Sequence, residues 1–147
     1  MRVSLRSSLL LSATLALAAC ETNPPPPTSA ASLSIVAPAD HAMIELPADR
    51  QLAIDFNTSY TLQAPGMCAS QANCGHVYVF IDGDSCDVPG LPYNRLASAS
   101  PAVADLSKCG MPIGAHTITL GLRNDDGSQV QDQFGDSVTS QIALTIL

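Results

Sequence analysis

The stretch Gly114-Ala115-His116-Thr117-Ile118-Thr119-Leu120-Gly121-Leu122 decides how the chain folds. Ile118, Leu120 and Leu122 alternate with Thr117, Thr119, Gly121 and Arg123. A period of two places every second side chain on one face, as in a half-buried strand, whereas a helix repeats its apolar residues every three or four positions. The next residues, Asn124-Asp125-Asp126-Gly127, tolerate positive φ and predict a hairpin turn.

The same period recurs outward from this segment. Leu52, Ile54 and Phe56 alternate with polar or small residues, and so do Val77, Val79 and Ile81, and Ile142, Leu144 and Ile146. Leu33, Ile35 and Ala37 form a shorter run that Pro38 stops, and residues 102–106 form another. Asp82-Gly83, Pro89-Gly90, Cys109-Gly110 and Asp126-Gly127 punctuate the runs as turns. No sustained helical period occurs after residue 32. Six to seven short strands in one domain, residues 32–147, predict an all-β, two-sheet antiparallel sandwich.

The segment Pro112-Ile113-Gly114-Ala115-His116-Thr117-Ile118, followed by the Asp125-Asp126-Gly127 turn, resembles strand F and the F–G turn of bacterial immunoglobulin-like domains. The resemblance implies an immunoglobulin-like sandwich of about seven strands, with residues 76–83 as strand C. The Cys…Trp…Cys core of antibody domains is missing, because the chain has no Trp. Such domains serve many functions, so no site is carried over. Strands C and F should be antiparallel neighbours, which brings the end of C beside the start of F. That order predicts disulfides Cys68–Cys74 and Cys86–Cys109, one pair at each end of the sandwich.

The N-terminus carries a separate message. Arg2 and Arg6 precede an uncharged apolar run from Leu9 to Ala19, which is the layout of an export signal. The run is too short to cross a bilayer as a helix. Leu17-Ala18-Ala19-Cys20 resembles the lipobox of bacterial lipoproteins. The resemblance implies that residues 1–19 are removed and that Cys20 carries a diacylglycerol thioether. Two or three acyl chains on one residue make a lasting membrane anchor, because each buried methylene contributes about 0.8 kcal/mol. Glu21, in place of an aspartate, favours the outer over the inner membrane. Residues 20–31 contain Pro24-Pro25-Pro26-Pro27, an extended spacer between anchor and domain.

Composition excludes some functions. After Ala19 only Arg50, Arg95, Lys108 and Arg123 are basic, against thirteen acids, for a net charge of −9. Nucleic acid is therefore not an expected partner. His76 and His116 begin strands far apart, which predicts two partly buried histidines hydrogen-bonded to loops, and His41 reads as loop surface. Asp82, Asp84 and Asp87 have the alternate spacing of a calcium loop, but lack the glycine at the sixth position and the acid at the twelfth that an EF-hand needs. No nucleophile elbow, His-Glu-x-x-His, phosphate loop or Ser-x-x-Lys is present, so neither catalysis nor a cofactor is expected. The expected function is a non-catalytic, lipid-anchored envelope module with a protein or glycan partner. The alternative is a calcium- or small-ligand-binding domain built on the Asp82/Asp84/Asp87 loop.

Overall fold

The computed structural model describes residues 30–83, 86 and 96–147. Cys20, the proline spacer through residue 29, Asp84, Asp87 and the Pro89-Gly90 turn lie outside the described residues. The described residues form eight strands: β1 (Leu33–Ala37), β2 (Ala42–Ile44), β3 (Gln51–Thr58), β4 (Thr61–Leu62), β5 (Cys74–Ile81), β6 (Ala102–Asp105), β7 (Gly114–Asn124) and β8 (Thr139–Ile146). A short 3-10 turn, Leu106–Lys108, follows β6, and the Asp105 carboxylate accepts the Ser107 N–H at its start.

The strands form two sheets, ordered β1-β3-β6 and β2-β8-β7-β5-β4. The main pairs are antiparallel: β1 with β3, β3 with β6, β5 with β7, and β7 with β8. In immunoglobulin lettering, β3 and β6 are the adjacent strands B and E, while β5, β7 and β8 are C, F and G of the facing sheet. The domain is therefore an immunoglobulin-like sandwich. The central register matches the alternation in the sequence. Val77, Val79 and Ile81 stand opposite Leu122, Leu120 and Ile118, and all six point inward.

Leu52, Ile54 and Phe56 of β3 and Ala102 and Ala104 of β6 meet these residues from the other sheet. Each fully buried Ile or Leu contributes about 1.5–3 kcal/mol through removal of apolar surface from water. With no Trp to fill the centre, aliphatic side chains, Phe56 and the two β6 alanines close it.

Two short strands were not anticipated. β2 runs parallel to β8, and β4 runs parallel to β5. Each covers an edge of the larger sheet, whose backbone groups would otherwise be unpaired. The β2 edge is extended by Asp40, whose Oδ1 accepts the Ala143 N–H at 2.8 Å. Both disulfides form with the expected partners, at Cα–Cα separations of 5.7 Å for Cys68–Cys74 and 4.4 Å for Cys86–Cys109.

Candidate functional site

The β5 alternation ends in Asp82, which lies in the left-handed region at φ 51. Asp accepts that conformation more readily than most residues, and here it turns the carboxylate back onto β7. Asp82 Oδ2 lies 2.7 Å from His116 Nδ1, and Oδ1 accepts the Thr117 N–H at 2.7 Å. His116 Nε2 faces the Pro112 carbonyl at 3.1 Å. Both ring nitrogens thus face oxygen acceptors; a neutral ring can donate to one of them, a doubly protonated ring to both. His116 is 5% exposed. The group is a clamp that joins the end of β5 to the start of β7. Both Asp82 oxygens are engaged by β7. Among the described residues, no three His, Cys, Asp or Glu side chains converge as metal ligands.

His76 departs from the expectation of a partly buried, loop-bonded histidine. It shares the outward row of β5 with Tyr78 and Phe80, yet is 0% exposed. Neither ring nitrogen has a hydrogen-bond partner among the described residues. It stands opposite Arg123, seven residues along β7 from His116 and so about 23 Å away, which keeps the two imidazoles in separate sites. His41 is surface, as expected, 3.4 Å from Asp40.

Burial lowers the pKa of His76; the Asp125 carboxylate opposes that shift and the Arg123 guanidinium adds to it. A lowered folded-state value means the unfolded chain binds a proton that the folded chain refuses. Stability should therefore be unaffected well above pH 6.5, the ordinary histidine value, and fall as pH drops through it toward the lower folded value. Thermal melts from pH 7.5 to 5 should show this slope, and His76→Phe should flatten it. An unchanged slope in the variant would remove His76 as its source.

The outward row of β5 and β7 holds the strongest candidate for a binding surface. The Arg123 guanidinium carbon lies 5.2 Å from the Tyr78 ring centre and 5.9 Å from that of Phe80, within cation–π range. Tyr78 and Phe80 contact each other edge to face at 6.3 Å. Gly121 stands opposite Tyr78, and a Cβ there would touch the Phe80 ring at 3.4 Å. A cavity of about 290 Å³ opens here, lined by Phe80, Gly121 and Arg123, by Gln129 and Ser137 from the chain that returns toward β8, and by Thr139 of β8.

That return is a well-held hairpin rather than a simple turn. Gln129 bridges to Arg123, and Gln131 bridges to Ser137. At its tip Asp132 Oδ1 accepts the N–H groups of Phe134 and Asp136, and Phe134 is 79% exposed. The preceding Asn124–Gly127 turn forms as expected, with Gly127 at φ 83. The same turn does more than reverse the chain: Asp125 accepts the Cys68 N–H through Oδ1 and the Gly66 N–H through its carbonyl. The alternation of β5 and β7 shows which residues face outward. That Arg123 lies across the aromatic rings depends on its register partner, which periodicity does not reveal.

No protein-family model matches the chain, and no curated protein matches it significantly. A search of solved structures finds similarity to the PKD domain (329–428) of human KIAA0319, determined in solution. The two are 9% identical, with a TM-score of 0.39 over 79% of this chain and 80% of that domain.

Proposed function

We propose that this chain is a lipid-anchored, non-catalytic binding module of the bacterial cell envelope, held by the lipid on Cys20 and placed at the outer rather than the inner membrane. Its partner is a protein or a glycan, met on the outward face of β5 and β7 and the adjoining hairpin. The observation that carries this reading is the contrast between the chain's polar groups. His116 and Asp82 are consumed in a clamp, while Arg123, Tyr78 and Phe80 form an aromatic and cationic surface beside a cavity.

The two disulfides support an exported domain, since such bonds persist in oxidising compartments. The lipobox resemblance and proline spacer support the anchor. Cys20→Ser should move the protein from the membrane fraction to the soluble fraction. A variant that stays with the membrane at the wild-type level would refute the anchor.

A further inference from the structure

The geometry points to the cavity beside Arg123 as the seat of a carboxylate-bearing sugar. This deepens the binding-module reading and is independent of the anchor.

Arg123 is half-buried, and its Nε is buried without a hydrogen-bond partner among the described residues. It makes no ion pair with any described carboxylate, although two acids follow closely in sequence. Both of those are engaged elsewhere: Asp125 accepts the Cys68 N–H, and Asp126 accepts the N–H and hydroxyl of Ser128. His76, the register partner, carries no negative charge in either protonation state and supplies no counter-charge. The Tyr78 and Phe80 rings offset part of the cost of holding the cation there, and an incoming anion would offset more.

The rest of the lining selects the same ligand. Ser137 Oγ donates to Gln129 Oε1 at 2.7 Å, which occupies the amide oxygen and leaves its NH₂ to donate outward. Gln129, the Thr139 hydroxyl and the guanidinium therefore present donors around one space, which suits a carboxylate with neighbouring hydroxyl acceptors. Phe80 forms an apolar wall for the C–H face of a sugar ring, and Gly121 leaves the floor open. A volume of about 290 Å³ suits a single sugar unit. An extended peptide would instead need an open strand edge, which this cavity lacks, because β7 is paired on both sides.

The test is titration of the full mature chain, held in detergent micelles, with galacturonate and in parallel with galactose, acetate and a free tripeptide, followed by amide NMR. Galacturonate should shift the amides of Gly121, Arg123, Gln129 and Thr139, while galactose and acetate leave them in place at equal concentration. Arg123→Met should weaken binding by about tenfold or more, the effect of losing one charge-assisted pair. Because Arg123 also packs on the rings, the exposed Thr139→Val serves as a second variant and should weaken binding by about threefold while leaving the melting curve unchanged. An equal response to galactose or to acetate overturns the proposal, as does tighter binding of the tripeptide or wild-type affinity in both variants. These readouts do not depend on membrane location, so a soluble Cys20→Ser protein and a failed titration report on different claims.

Discussion

Gly75→Ala is expected to be the most damaging single methyl group that can be added to this domain. Gly75 pairs with Asn124, and a Cβ there would stand 1.9 Å from the Arg123 carbonyl oxygen and 3.2 Å from the Asn124 Cα. Both are backbone atoms of a central strand, so no side chain can swing aside. Relief requires moving β5 off β7, which also disturbs β4, since the Gln63 N–H bonds to the Gly75 carbonyl. The expected loss is about 3 kcal/mol or more, the upper end of overpacking costs. On a domain of this size that lowers the melting temperature by about 10 °C.

Gly121→Ala is the matched control. Its Cβ would meet only the Phe80 side chain, at 3.4 Å, so its cost should stay below about 1 kcal/mol. A Gly75→Ala protein that melts with the wild type would show that the β5–β7 register is wrong at this end.

Removing Cys86 and Cys109 together, as serines, should cost about 3 kcal/mol, and removing Cys68 and Cys74 about 2 kcal/mol. The difference follows from loop closure: the first bridge spans 23 positions and the second 6, and the longer loop restricts the unfolded chain more. All four cysteines are buried, but packing against the core acts in the same direction. Cys86 and Cys109 belong to the central apolar cluster with Leu106 and Ile118, whereas Cys68 and Cys74 lie outside it. Denaturant midpoints of the two double variants should rank in this order. Peptide mapping of the unreduced protein should yield Cys86 linked to Cys109. A fragment joining Cys68 to Cys109, or Cys74 to Cys86, would overturn both the pairing and the end-of-β5 to start-of-β7 adjacency behind it.

The disulfide pairing is legible in the sequence because it needs only strand order. Once residues 76–83 and 114–122 are antiparallel neighbours, four cysteines fall two to each end. The central strands were legible for a related reason: Val77, Val79, Ile81, Ile118, Leu120 and Leu122 alternate over enough residues for a period of two to stand out. β2 and β4 were not, because three residues and two residues carry no period. Their pairing comes from partners far along the chain, Leu144 to Ile146 for one and Cys74 to Gly75 for the other.

For the candidate site, the division follows the range of the forces involved. Local pattern alone determined that the chain forms a sandwich whose main pairs are antiparallel, that Tyr78, Phe80 and Arg123 lie on outward rows, and that the Asn124–Gly127 segment turns. Those outcomes depend on side-chain period, turn chemistry and cysteine spacing, all of which act over a few neighbours. Only the tertiary structure decided that Arg123 lies over two aromatic rings, that His76 on an outward row is fully buried, and that Asp82 joins His116 and the Thr117 N–H. Each of these depends on which residue of β7 stands opposite which residue of β5, and shifting that register by one residue would send every side chain to the other face. The register is set by the summed fit of the two inner faces and by the close approach at Gly75, quantities that exist only once both strands are in place.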